Sequence, residues 1–180
     1  MMHLLWEGNL IMGKRSIKEN KNIYQICREE AGLTREKASE LMEFVSADRI
    51  EKIESEKSAP HPDEIIAMEK AYKKPILRNH YCAKACPLGQ EYVPEVEVKD
   101  LTQITLEMLA SLTSVEKDRD RLIEIASDGV ITEDEYADFV SIQKKLQKIA
   151  VTAEAMNLWI QNKIAEGKID PEKLQRYRSS

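Results

Sequence analysis

The sequence predicts an all-α protein, five short helices packed together and followed by a long antiparallel αα-hairpin. Three observations carry this expectation. Charged residues make up 33% of the chain while Gly accounts for only 6 of its 180 residues, a balance that favours helix over sheet. Apolar residues recur at three- and four-residue spacing, first in five short runs and then in two long ones. Capping and breaking residues separate those runs. A hydrophobic content of 42% supplies a core and excludes a wholly disordered chain.

The first helix runs from Ile23 to Ala31, with Ile23, Ile26 and Cys27 at helical spacing, and Gly32 breaks it. Thr34 caps the second, although Lys37 stands where a complete capping box would carry an acid. That helix reaches about Met42 and turns Ala38, Leu41 and Met42 inward. Ser46 caps the third, Asp48 in its first turn suits the helix dipole, and Ile50 and Ile53 anchor it. Ser58-Ala-Pro-His-Pro62 is a stop. The fourth helix has Pro62 near its first turn, carries Ile65, Ile66, Met68, Ala71 and Tyr72, and ends at Pro75. A fifth covers Ile76 to Ala85 and is closed by Pro87 and Gly89. Tyr92 to Val98 contains a proline and reads as extended.

From Leu101, apolar residues at Ile104, Met108, Leu109, Leu112, Val115, Leu122, Ile123 and Ala126 form one arm of the hairpin. Asp128-Gly129 interrupts it, and Thr132 with Glu135 makes a capping box. The second arm carries Tyr136, Phe139, Val140, Leu146, Ile149, Ala150, Ala153, Met156, Trp159, Ile160 and Ile164, and Gly167 stops it. At ~1.5 Å per residue each arm should be roughly 40 Å long. Two helices cannot shield stripes of that width from water. A homodimer through residues 100–165 is therefore expected, with packing on the N-terminal domain as the alternative. The expected organisation is a flexible extension over 1–12, a first domain over 13–89, a linker over 90–99 and the hairpin domain over 100–180.

The net charge is −5, with the acid excess in the second half: residues 13–80 hold 14 Lys and Arg against 13 Asp and Glu, whereas residues 100–180 hold 11 against 15. No apolar run approaches the ~20 residues of a membrane span. Met1 to Leu10 lacks a basic leader and a small-residue cleavage site, so it does not read as a secretory signal, and Met12-Gly-Lys-Arg15 offers an alternative start. Three cysteines, Cys27, Cys82 and Cys86, suggest free thiols in a reducing, cytoplasmic setting.

The segment from Ile23 to Leu41, with Arg28-Glu-Glu-Ala-Gly-Leu-Thr34 inside it, is followed in order by Ser46-Ala-Asp-Arg-Ile-Glu-Lys-Ile-Glu54, Pro60 and a further helix. Over residues 23–75 this resembles the phage-repressor (Cro/cI, or XRE) helix-turn-helix class. The resemblance implies a lambda-repressor-like five-helix domain, double-stranded DNA as partner, and a third helix lying in the major groove. On the family's pattern Thr34 and Arg35 open the second helix near phosphate and base edges. Ser46, Ala47, Asp48, Arg49 and Lys52 fall at the groove-facing start of the third, and Lys57 falls at a backbone contact. Arg49 is expected to read guanine and Lys52 a phosphate or guanine. Lys14, Arg15, Lys18 and Lys21 would add phosphate contacts. The sequence departs from the family in three ways. Met42-Glu-Phe-Val45 is one residue longer than the standard turn, Ser39 replaces the usual small Ala, and Glu56 replaces a frequent Gly. The third helix is also acidic, with Asp48, Glu51, Glu54 and Glu56 set against Arg49, Lys52 and Lys57. The expected function is that of a dimeric, sequence-specific transcriptional regulator. The alternative is a protein-interaction scaffold whose module no longer binds DNA.

Two weaker constellations point elsewhere. Cys82 and Cys86 share a helix face and, with His80 and His61, offer nitrogen and sulfur to zinc. Their spacing is not that of a Cys-x-x-Cys knuckle, and packing thiols is the preferred reading, so no metal or cofactor is assigned. Asp128 to Glu135 resembles the second half of a calcium loop, but the opening positions would be Glu124 and Ala126, and a tight turn with a capping box accounts for the pattern. No catalytic set stands out, and the protein is not expected to be an enzyme.

Overall fold

A computed structural model describes residues 21–178, and every regular element among them is helical. The expected extension over 1–12 with Trp6, and the basic residues Lys14, Arg15 and Lys18, lie outside the described residues. The chain divides into two compact units, one ending at Leu77 and one beginning at Arg78.

The first unit contains α1 (Ile23–Glu30), α2 (Arg35–Met42), α3 (Ala47–Glu54), α4 (Pro62–Tyr72) and the start of α5 (Ile76–Lys84). Each start is written in its cap. The side chains of Asn22, Thr34 and Ser46 accept from the backbone N–H groups of Gln25, Lys37 and Arg49, relieving donors that a helix cannot satisfy internally. At α4 the Glu64 carboxylate accepts from the His61 N–H at 2.7 Å. Gly32 ends α1 as expected: its φ of 72° lets the Leu33 N–H return to the Arg28 carbonyl at 3.2 Å.

The core is Cys27, Ala38, Met42, Val45, Ile50, Ile53, Ile65, Met68 and Tyr72, where α2 packs on α3 and α4 and α1 closes the other side. Three apolar residues expected inside are not: Ile26, Leu41 and Ile66 stay exposed. Their places are taken by Tyr24, Gln25 and Arg28 on α1 and by Val45 after α2. Burial raises the Cys27 thiol to about 11, so it sits protonated as a packing group. The Tyr72 hydroxyl is buried without a hydrogen-bond partner among the described residues, and burial raises it well above its ordinary value.

A charged knot crosses this core. Glu54, at the end of α3, is 3% exposed. It accepts from Arg28 Nε and, at 2.9 Å, from Arg28 Nη2. Arg35 Nε adds a third bond at 2.8 Å, and Arg28 Nη1 donates to the Leu33 carbonyl at 2.7 Å. Burial alone would lower the Arg28 pKa, but the hydrogen bond and charge of Glu54 raise it.

The second unit holds the rest of α5, then α6 (Pro87–Tyr92), α7 (Leu101–Glu116), α8 (Arg119–Ile125), α9 (Tyr136–Ala165) and α10 (Pro171–Arg178). Pro87 and Gly89, expected only to close the fifth helix, instead open and sit within α6. Gly89 is required there, since a Cβ would lie 2.1 Å from the Cys82 carbonyl oxygen. The stretch over 90–99, expected as a linker, is pinned: Asn79 Nδ2 donates to the Pro94 carbonyl at 2.9 Å and Asn79 Oδ1 accepts from the Val96 N–H at 3.1 Å. Val96 is buried as a result.

α7 packs along α9. The ion pairs Arg121–Asp138 and Asp118–Lys145, with the Glu107–Lys148 attraction further along, rise on one strand of the pairing as they fall on the other. The two helices therefore run antiparallel. The first arm is shorter than expected because α7 stops at Glu116 and α8 restarts after Lys117 and Asp118. Of the expected capping box, Glu135 accepts from the Thr132 N–H at 3.0 Å, but α9 begins at Tyr136, three residues later than a Thr132 cap implies. Gly167 stops α9 at φ 71°. Ile104 and Ile142 are buried, whereas Leu101, Leu106, Leu109, Leu112, Ile123, Tyr136, Val140 and Leu146 are exposed.

Glu54→Ala should lower the unfolding free energy by about 3–5 kcal/mol, because it strands Arg28 as a buried cation. Urea denaturation followed by circular dichroism measures this, and a loss below about 1 kcal/mol would mean the knot contributes little.

Candidate nucleic-acid interface

α2 and α3 are joined by a turn one residue longer than the family's standard, and the backbone absorbs the extra residue at Glu43. Its φ of 60° and ψ of −50°, with the Phe44 N–H donating to the Met42 carbonyl at 2.6 Å, form a γ-turn of the rare positive-φ kind. The chain then re-enters so that Val45 is buried and Ser46 caps α3. The turn therefore accommodates the extra residue without losing either the cap or the α2–α3 packing.

The start of α3 presents Ser46 and Asp48 exposed and Ala47 half-buried, and Lys52 is exposed one turn on. The Lys52 ammonium makes no hydrogen bond or ion pair among the described residues. Thr34 is spent as the cap of α2. Arg35 is held by Glu54 through Nε, while its terminal nitrogens have no other partner among the described residues. Lys57 lies 3.5 Å from Glu51, both exposed, a pair that water screens strongly. Lys21, the one described member of the basic run, is paired with Glu29 at 2.7 Å.

Arg49 is where the geometry departs most from the expectation of a guanine reader. Its Nε and Nη2 grip the two oxygens of Glu64 at 2.6 and 2.7 Å. Nη1 donates to Ser58 Oγ at 2.6 Å, and Nη2 also donates to the Ala59 carbonyl at 2.9 Å. A guanidinium has five donors, and four of them are committed here. The hydrogen bond to Glu64 raises the Arg49 pKa. For Glu64, burial pushes upward, but the Arg49 hydrogen bonds and the His61 N–H outweigh it and hold the carboxyl below its ordinary 4.5. Arg49 thus clamps α3 to the start of α4. The sequence offered no signal for this, since the partners lie 15 residues apart.

Two residues past α3, Glu56 stands at φ 58°, its N–H bonded to the Ile53 carbonyl and that of Lys57 to the Lys52 carbonyl. This is the left-handed cap that the family commonly gives to Gly, here carried by a residue with a Cβ.

Residues 25–78 match the family model described as helix-turn-helix. That segment is an XRE-type helix-turn-helix domain. The match runs from within α1 through α4 to the first turn of α5, and it supports a DNA-binding, helix-turn-helix role for that domain in general. No curated protein and no solved structure matches the chain.

The zinc candidates do not converge. Among the described residues no three His, Cys, Asp or Glu side chains could hold a metal ion, so His80, Cys82 and Cys86 with His61 form no such set, nor do the acids around Asp128. Cys82 and Cys86 are half-buried free thiols. No described helix is long and apolar enough to cross a membrane.

The Arg49–Glu64 clamp has a definite pH signature. A carboxyl whose pKa is depressed by folding contributes stability above its unfolded value and loses it as pH falls through the folded one. Stability should therefore fall as pH drops below about 4.5, and Glu64→Gln should flatten that part of the profile. Thermal melts of both proteins between pH 7 and pH 3 check this, with identical slopes counting against the clamp.

Proposed function

We propose that the protein is a sequence-specific, DNA-binding transcriptional regulator of the phage-repressor type that acts as a homodimer. The observation that carries this is the first turn and a half of α3. It is capped, exposed and bears an unengaged cation, Lys52, on a helix anchored from behind by Ile50 and Ile53. In this docking mode the N-terminal residues of the third helix meet base edges. Ala47, Asp48 and Lys52 are the reading positions, with Asp48 able to accept from a cytosine amine and Lys52 to donate to guanine or phosphate. Ser46, Thr34 and Arg35 set the edge of the contact, and Lys57 adds a backbone contact. Arg49 serves as a positioning residue, holding the loop from Ser58 to His61 against α3.

So few free cations imply weak binding by a single module, because affinity for the phosphate backbone scales with the charges that displace counterions. Two linked modules recover it through effective concentration. The exposed leucines of α7 and the exposed apolar residues of α9 support a dimer through residues 100–165, and a two-fold protein calls for a two-fold operator. The helix-turn-helix match over residues 25–78 supports a binding role.

One observation favours a second reading. Asp48 and Glu51 on α3, with Glu56 just after it, leave this surface acid-rich, which suits a protein-binding scaffold. Selection of bound sequences from a random duplex pool at low salt separates the two. The regulator enriches a motif whose affinity falls steeply with salt, and the scaffold retains nothing. With the enriched motif, Lys52→Ala should cost about 1–3 kcal/mol and relax one base position, whereas Arg49→Ala should lower stability and leave the base preference intact. A relaxed preference in the Arg49 variant with unchanged stability would reverse those roles. Leu109→Lys combined with Leu112→Lys should convert the dimer to monomer in sedimentation equilibrium, and an unchanged mass would move the dimer contact elsewhere.

A further inference from the structure

The γ-turn at Glu43 leaves a second surface on the first unit. Leu41 and Phe44 stand 59% and 62% exposed, and Ile66 on α4 is 43% exposed. Together with Ala67 they line a groove of about 380 Å³ between the end of α2, the turn and α4. Asp63 lies at one end of its α4 wall and Lys70 at the other, and Glu43 also lines the groove. Asp63, Lys70 and Glu43 form no ion pair among the described residues. An apolar patch with a polar rim marks an interaction site. Its lining side chains remain largely in solvent, so the groove does not enclose a small molecule.

The wall on α4 reads Asp63, Ile66, Ala67, Lys70, which is the i, i+3, i+4, i+7 stripe of one helix face. Acid sits in the first turn, base in the last, and apolar residues between. A surface that pairs with itself about a two-fold axis must present each group and its complement together. This stripe does so. Run antiparallel against a second α4, Asp63 of each copy faces Lys70 of the other, and Ile66 and Ala67 meet across the axis. The helix dipoles oppose each other in the same arrangement. A partner of one charge sign would satisfy only one end, whereas a second copy of this chain, run antiparallel, satisfies both. Leu41 and Phe44 supply the apolar flank.

We propose that this groove is a self-association surface, in which two helix-turn-helix domains pair through antiparallel α4 helices. The proposal goes beyond the DNA-binding reading and does not rest on it. No residue of α3 lines the groove. It is also distinct from the hairpin contact over residues 100–165, to which it would add a second point of closure.

The test is zero-length carbodiimide cross-linking of the full-length protein without DNA, using equal amounts of ¹⁴N- and ¹⁵N-labelled chains. The pairing predicts mixed-isotope peptides joined between Asp63 of one copy and Lys70 of the other. Ile66→Lys keeps both reactive groups and should abolish that linkage while leaving the helical circular-dichroism signal unchanged. Absence of mixed-isotope Asp63–Lys70 peptides in the wild type would overturn the proposal. So would their persistence in the Ile66 variant, or linkage of Asp63 to a different lysine of the other copy. Duplex selection on the same samples is independent, so loss of the pairing and loss of DNA binding are told apart.

Discussion

A carboxylate can be buried in a protein of this size only if its charge is answered on the spot. Glu54 is answered three times, twice by Arg28 and once by Arg35. The partners come from α1 and from the first residue of α2, while Glu54 closes α3, so one side chain joins three helices. Arg28 extends the knot to the Leu33 carbonyl in the turn after α1. Asn22, the cap of α1, adds a bond from its side chain to the Ile53 carbonyl at 2.8 Å. The orientation of α3 follows from this arrangement, since its C-terminal end is fixed by charge and its inner face by Ile50 and Ile53. Its opposite end is then left to solvent.

The same knot alters how the acidity of α3 should be counted. Glu54 is neutralised inside the fold and contributes little to the field at the surface. Glu51 lies beside Lys57, which leaves Asp48 and Glu56 as the acids of that face. On the basic side Arg49 is withdrawn into its clamp on Glu64, and Arg35 is oriented by Glu54 with its terminal nitrogens left over. What faces outward is sparse in cations. The proposed dimer would offset this sparseness, and exposed apolar surface exists on α7 and α9 and, separately, beside α4.

Much of this was legible in the chain. The helices of the first domain, their caps at Thr34 and Ser46 and the breaks at Gly32 and Gly167 are local features, and local rules found them. Ile50, Ile53, Ile65, Met68 and Tyr72 were likewise visible as one buried face. What periodicity misplaced was the edge of each stripe: Ile26, Leu41 and Ile66 lie one step around the helix from buried neighbours, and only tertiary packing decides which side of that boundary they fall on. The clamp on Arg49 was illegible because Glu64 is distant in sequence, and a groove-facing arginine looks the same whether it is free or engaged. The longer turn before α3 was visible as a departure, but its resolution into a γ-turn that exposes Phe44 was not. In the second half, Pro87 read as a stop although it opens α6, and Asn79 gave no sign that it would hold Pro94 and Val96.

The central claim is that the exposed start of α3 enters a duplex. The most direct measurement is amide chemical-shift mapping of ¹⁵N-labelled protein as a selected duplex is added at low salt. The account predicts that the largest changes fall on Ser46 to Lys52 and on Thr34 and Arg35, with Leu109 and Leu112 unmoved. Changes confined to residues 100–165, or none at saturating duplex, would contradict it.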